Sequence, residues 1–322
     1  MRRTIPVLAT ALALFVTACA SSQTVTDDPE SSRAPEDGPT AVADQPVQAA
    51  VASYDLAVGE DRRFTAGLIL ADGGVLVGGE VSMELFYFGE DGAQEPEQLG
   101  KVATAQFLPV PGLAPSEPLE EPQAGDGSIV GVYETSFDFE RPGRYGIGIL
   151  ADIDGERLQG TTTFDVAAEQ QIVDVGQAAP TVPNPTIGGD AAPETIDSRA
   201  QDGAEVPDPQ LHDTTLEESL AAGNRAVVLL STPVYCVSRF CGPITEQVEQ
   251  FADELPEDVD VIHIEVWEDF EEQQLHPSAA AWIQTETGGS EPWVFVVDDD
   301  GTVLGRWDNV VDLDAVRDLL EN

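Results

Sequence analysis

Two of the chain's three cysteines stand close together in "STPVYCVSRFCGPI", residues 231–244. Four residues separate Cys236 from Cys241. Such a pair can exchange disulfides, clip a loop or hold a soft metal ion. Exchange needs a thiolate, and a helix N-terminus stabilises one through its dipole and free N–H groups. On a regular helix an offset of five residues would set the two sulfurs about 140° apart. Both therefore cannot sit on the helix. The helix is expected to begin at Gly242 or Pro243, with "CVSRF" as a loop before it. A loop of that length can bring the Cα atoms within the roughly 4.4–6.8 Å that a disulfide requires. Arg239, between the cysteines, can favour either thiolate electrostatically.

The elements that must hold this motif are legible around it. "TTLEESLAAG" is a capped amphipathic helix, with Thr214 or Thr215 as cap and Glu217 and Glu218 at its positive end. "RAVVLLST" is a continuous apolar run suited to a buried central strand. "PITEQVEQFADEL" places Ile244, Val248, Phe251 and Leu255 at helical spacing, with Pro243 fit for the first turn. "VDVIHIEVW" is a second buried strand, and "HPSAAAWIQTE" reads as a helix. "PWVFVVDDDGTVLGRW" is a hairpin closed at "DDDG", and "LDAVRDLLEN" a closing helix. This order implies a mixed central sheet with helices on both faces.

Upstream, from about Ser53 to Val166, the pattern is β. "RFTAGLIL", "VSMELFYF", "KVATAQFLPV", "GVYETSFDF", "RYGIGILADI" and "RLQGTTTFDV" are separated by Gly, Pro and Asp clusters. Six or seven such strands suggest a two-sheet sandwich. Tyr145 in "GRYGI" looks like the tyrosine corner of immunoglobulin-like folds, or is a plain strand aromatic. The Pro- and Glu-rich excursion from Pro109 to Ser128 reads as a long surface loop. No Cys, His or Trp lies in this region, so it is expected to bind or to space. Residues 167–210 are Pro-rich and acidic, and composition alone makes them a linker.

The 322 residues carry a formal charge of −46, with Lys101 the only lysine. Such a surface repels phosphate backbones, which argues against nucleic-acid binding. The acidity is spread rather than blocked into a tail, and fits solubility in high salt better than a dedicated cation or basic-partner surface. At the N-terminus, "MRR" precedes the apolar run "IPVLATALALFV", which is too short to span a bilayer. "VTAC", ending at Cys19, resembles a bacterial lipobox. That resemblance implies cleavage before Cys19, diacylation of its sulfur and an extracytoplasmic, membrane-anchored protein. Residues 19–52, rich in Ser, Pro and acids, read as a disordered tether. With Cys19 lipidated, Cys236 and Cys241 remain as one pair in an oxidising compartment.

"STPVYCVSRFCGP" followed by "EPWVFVVDDDG" is similar to a group of extracytoplasmic thioredoxin-like proteins. Thr232, Pro233, Cys236, Ser238, Cys241, Gly242 and Pro243 carry the likeness, then Glu291, Pro292, Trp293, Phe295, Val296, Val297 and Asp298. "DPQLH", residues 208–212, and "GQAAPTVPNPT" also resemble that group, so the apparent linker can lie along the domain. The implied fold is a C-terminal α/β thioredoxin-like domain at 211–322, preceded by an immunoglobulin-like β-sandwich at 53–166. The resemblance implies a catalytic pair, Cys236 and Cys241, and a cis Pro292 that binds an extended substrate segment together with Glu291. Aligning "CGP" with the thioredoxin motif makes Cys241 the nucleophile; aligning strand ends makes it Cys236, the preferred register. Protein thiols or disulfides are the implied partners, with no cofactor.

Three functions follow from these residues. The first is a tethered thiol–disulfide oxidoreductase. The second is a non-catalytic scaffold whose disulfide only pins a loop. The third is copper delivery through two thiolates and a distant histidine. Of the histidines, His212, His263 and His276, the second lies in an apolar strand and reads as a satisfied core residue. "DDDG" lacks the spacing of a calcium loop and reads as a turn. The four tryptophans read as core or rim aromatics.

Overall fold

The computed structural model describes residues 45–110, 112–114, 119–236 and 238–321. The first 166 residues supply β1 (Val47–Val51), β2 (Gly59–Leu70), β3 (Leu76–Val77), β4 (Glu80–Tyr87), β5 (Glu97–Pro109), β6 (Gln123–Ala124), β7 (Gly131–Phe139), β8 (Gly143–Ile153) and β9 (Glu156–Val166). Alternation drives burial as expected: Val81, Met83, Leu85 and Tyr87 of β4 face the interior while the residues between them do not. Seven of the strands close into a barrel in the order β1-β2-β7-β5-β4-β8-β9.

Closure depends on two features. β2, β5, β8 and β9 are 11–13 residues long, and bulges between Gly59 and Arg62 and between Glu84 and Phe86 bend the ladder. Gly160 then lets β1 reach β9, because a Cβ there would collide with the Val47 carbonyl. β1 itself lies within the stretch that composition assigned to the tether. Tyr145 donates its hydroxyl to the Arg141 carbonyl at 2.8 Å, tying β8 back to the turn before it.

The expected fold class is overturned. Strand makes up 41% and helix 18% of a mostly β structure, built on a seven-stranded barrel instead of an immunoglobulin-like sandwich with a separate α/β thioredoxin-like domain. The described residues belong to one compact unit. The physical reason is a shared core. Val110 and Val132 at the barrel edge belong to the same hydrophobic cluster as Val227, Leu229, Val294 and Val296.

After the barrel come α1 (Pro193–Ile196), 3-10 turns at Ser198–Gly203 and Pro209–Leu211, α2 (Leu216–Ala222), β10 (Arg225–Ser231), α3 (Cys241–Ala252), β11 (Val259–Glu265), β12 (Trp267–Asp269), β13 (Gln274–Leu275), α4 (Pro277–Ile283), β14 (Trp293–Val297), β15 (Val303–Asp308) and α5 (Leu313–Glu321). β11, β10, β14 and β15 form a sheet in that order, with β10 parallel to β11 and the other pairs antiparallel. Thr215 and Glu218 make a reciprocal capping box on α2. The Pro-rich segment is folded: Ala178 bridges Thr302, and Asn184 Nδ2 donates to the Thr214 carbonyl.

Two of the scarce arginines join barrel to sheet, and a third joins the barrel to the segment that follows it. Arg63 on β2 donates to the carbonyls of Asp308 (3.0 Å) and Val310 (2.7 Å) and pairs with the Asp308 carboxylate. Arg306 meets Asp55 at 3.0 Å, and Arg62 meets Asp174 at 2.8 Å. A cavity of about 260 Å³ at this junction is lined by these arginines and their acidic partners.

Candidate functional site

The cysteine loop leaves the end of β10 and returns at the first residue of α3. Cys241 itself opens the helix, one residue ahead of the expected start. Arg239 makes the return possible with a left-handed backbone, φ +67°, and its side chain is exposed. The two cysteines form a disulfide with their Cα atoms 5.9 Å apart. Their settings differ. Cys241 has no solvent exposure, whereas Cys236 is only half-buried. The backbone N–H of Cys241 donates to Cys236 Sγ at 3.2 Å, and Ser238 Oγ lies 3.2 Å from the same sulfur. Cys236 is therefore off the helix in sequence but at its N-terminus in space.

The Glu291–Pro292 peptide is cis. The Glu291 carboxylate lies within 4.8 Å of both sulfurs, so the structure brings together Cys236, Cys241 and Glu291. Burial raises the Glu291 carboxyl to about 7, the nearby Glu265 charge adds to this, and the Trp267 indole acts against it. Glu265 is itself pushed up, by burial foremost. Its Oε2 accepts the Ser198 N–H at 2.8 Å and its Oε1 the Val266 N–H at 2.9 Å. The barrel reaches this site through Tyr54, whose hydroxyl donates to the Glu291 carbonyl at 2.9 Å. Beside Cys236, the rings of Tyr235 and Phe270 stack 4.5 Å apart at 7°, and Trp267 meets Phe270 edge-on. Val234, half exposed, continues this apolar shelf.

A second constellation lies behind the loop. Ser231 Oγ is 2.8 Å from His263 Nε2, and His263 Nδ1 is 3.4 Å from Asp197 Oδ2. The order resembles a Ser–His–Asp triad, but all three side chains are fully buried and Ser231 Oγ also bonds Thr245 Oγ1 at 2.8 Å. No substrate carbonyl can approach that hydroxyl. His212 Nε2 approaches the same Asp197 oxygen at 3.4 Å. Burial alone would raise the Asp197 carboxyl; the two imidazoles and the Arg199 guanidinium outweigh it and hold the group far below the usual carboxylate range. Burial depresses His212.

No protein-family model matches the chain, and no curated protein does either. Function therefore rests on geometry and motif.

The other sequence candidates fall out as follows. "DDDG" is a turn, with the Gly301 N–H bonded to the Asp298 carbonyl at 2.9 Å. Trp282, Trp293 and Trp307 are buried. His276 caps α4, its Nδ1 accepting the Ser278 N–H. At the sulfurs the third donor is a carboxylate, Glu291, in place of the imidazole that copper delivery called for. Cys19 lies outside the described residues. Sequence reasoning missed Asp197, in the segment read as linker, and the Tyr235–Phe270 shelf. The clustering of every histidine in the last third was the available signal for the former.

Proposed function

We propose that this protein is a thiol–disulfide oxidoreductase in which Cys236 attacks and Cys241 resolves. The observation that carries the reading is the asymmetry of the pair: the sulfur of half-buried Cys236 accepts a helix N-terminal N–H, and Cys241 is fully buried. In the reduced protein the Cys236 thiolate attacks a substrate disulfide, bonding one sulfur and expelling the other as thiolate. Cys241 passes its proton to Glu291 and attacks Cys236 Sγ. The Cys236–Cys241 bond forms, and the second substrate sulfur leaves as thiolate. Two electrons have passed to the substrate, and the reverse sequence oxidises a dithiol. The shelf of Val234, Tyr235 and Phe270 supplies apolar surface for an unfolded or extended polypeptide.

The same reading places the protein outside the cytoplasm, acylated at Cys19, with protein thiols or disulfides as partners. Its support is the lipobox-like N-terminus and the oxidised pair.

Trapping tests the chemistry. Cys241→Ser accumulates a mixed disulfide on Cys236 with an extracytoplasmic protein, whereas Cys236→Ser traps nothing. Reversed behaviour makes Cys241 the nucleophile. If neither variant traps, and the pair's reduction potential lies below about −300 mV, the bond is a structural clip.

A further inference from the structure

Asp197, His212 and His263 are used by neither the disulfide nor the apolar shelf. Asp197 precedes the first 3-10 turn, His212 follows the second, and His263 lies on β11. All three side chains have zero exposure. His263 Nδ1 and both nitrogens of His212 make no hydrogen bond. An orphaned buried polar atom is costly because it gives up water for nothing, so a histidine with both ring nitrogens unbonded calls for a partner of another kind.

The tautomer of His263 narrows what that partner is. Its Nε2 faces Ser231 Oγ at 2.8 Å and the Ser231 carbonyl at 3.2 Å. A carbonyl oxygen only accepts, so Nε2 carries the proton. Nδ1 is left facing the Asp197 carboxylate without a hydrogen bond, in the place where a cation shared by the two groups would sit. A charge-assisted N–H···O bond would close to about 2.7–2.9 Å. The observed separations are 3.4 Å for both His212 Nε2 and His263 Nδ1 from Asp197 Oδ2. That is about the edge of a tetrahedron whose metal–ligand bonds are ~2.0–2.1 Å long.

We infer that Asp197 Oδ2, His212 Nε2 and His263 Nδ1 bind a divalent transition cation of the Zn²⁺ class. Two imidazoles and one carboxylate suit zinc over calcium or magnesium. Two of the three ligands, His263 and Asp197, have partners that orient them. Ser231 fixes the His263 ring, and Arg199 holds the Asp197 carboxylate through Nε at 3.0 Å and Nη2 at 2.7 Å. Asp208, 2.6 Å from Arg199 Nη2, offsets the guanidinium charge. The ion pins residues 197–212 to β11. Through Ser198, whose Oγ accepts the Val234 N–H at 3.2 Å, it also steadies the base of the cysteine loop.

The test uses full-length protein with its disulfide oxidised, in molar sodium chloride to suppress weak binding by surface carboxylates. After chelator treatment, Zn²⁺ is titrated against a competing chelator and Co²⁺ binding is followed by visible absorption. Wild type takes up one tightly held equivalent and gives the intense bands of tetrahedral Co²⁺. His212→Gln and Asp197→Asn each weaken binding by about 100-fold or more, and Ser231→Ala by about 10-fold. A Cys236→Ser/Cys241→Ser double variant binds as wild type does, which separates this site from the dithiol. Wild-type affinity no tighter than that of His212→Gln, or a weak octahedral Co²⁺ spectrum, overturns the assignment and leaves a buried imidazolium–carboxylate pair. Should the ligand variants not fold, the wild-type Co²⁺ spectrum and the Ser231→Ala affinity decide.

Discussion

The N–H of Cys241 points at the sulfur of Cys236, 3.2 Å away, although five positions separate the two in sequence. The loop between them folds the earlier cysteine onto the end of the helix that the later one begins. Both sulfurs therefore lie at the N-terminus of α3, a 12-residue helix, without both belonging to it. The spacing that a helix alone forbids is met by a left-handed turn at Arg239.

In the reduced protein this arrangement is expected to favour a Cys236 thiolate over the thiol. The helix N–H and Ser238 Oγ both favour the charged sulfur. Ser238→Ala raises the midpoint by about one unit, the size expected for one hydrogen bond to a charged group. Alkylation rates across pH, measured in Cys241→Ser to isolate one thiol, give the value. An ordinary thiol midpoint in Cys241→Ser, unchanged by Ser238→Ala, removes the helix terminus from the mechanism.

Glu291 has a stability signature of its own. Its carboxyl titrates near 7 in the folded protein against a reference of 4.5. The folded state binds the proton more tightly, so this group's contribution is fully present below pH 4.5 and is lost as pH rises through 7. Glu291→Gln stays uncharged and is more stable than wild type at pH 8 by about 1–3 kcal/mol, with little difference at pH 4. Denaturant melts at the two pH values measure it. In the catalytic reading the same variant also loses the inflection near pH 7 in the rate of resolving a mixed disulfide. A gain at pH 8 without that kinetic change makes Glu291 a buried acid and no proton acceptor.

Tyr54 and Arg63 make the barrel part of the site. Tyr54→Phe removes the donor to the Glu291 carbonyl and to Asn309 Oδ1, at a cost of about 1 kcal/mol. Arg63→Met leaves the Asp308 carboxylate nearly buried without its charge partner. That costs about 2–4 kcal/mol, less than for a fully enclosed pair because Arg63 keeps 18% exposure. Both losses appear as a single cooperative transition in thermal melts followed by tryptophan fluorescence and by far-ultraviolet circular dichroism. Separate transitions for barrel and sheet would show that the shared core does not couple them.

The last third was legible because its signals are local. Ile244, Val248 and Phe251 face the core as their spacing required, while Leu255 falls past the helix end; the "RAVVLLS" run is a central strand, and Thr215 is the one of the two candidate threonines that caps. Barrel closure is not local. It depends on bulges, on strand lengths that no short window reports, and on β1, whose "VQAAV" looks no different from the tether beside it. Asp197 was hidden for the same reason. Its segment has no periodicity, and its place is set by Arg199, Asp208 and β11 across the fold. Cys236 and Cys241 were plain from type and spacing. Which of the two is the more deeply buried became readable only with the loop's path.

Surface charge gives the final prediction. Sixty acidic residues face fourteen basic ones, and several of the arginines are spent in shielded pairs at the junction of barrel and sheet and at Asp197. The remaining carboxylates repel one another over a surface with few counter-charges, which destabilises the compact state. Added salt shortens the range of that repulsion, from a Debye length of about 30 Å at 0.01 M to about 3 Å at 1 M. The melting temperature therefore rises steeply between dilute buffer and molar chloride. Potassium and sodium chloride act alike where screening dominates, while sulfate adds its own strengthening of apolar burial. Arg63→Met, having lost a shielded ion pair instead of a screened one, remains less stable than wild type at every salt concentration. A melting temperature indifferent to chloride would mean that the carboxylates are spaced widely enough to ignore one another, and the reading of the acidity as an adaptation to high salt would go with it.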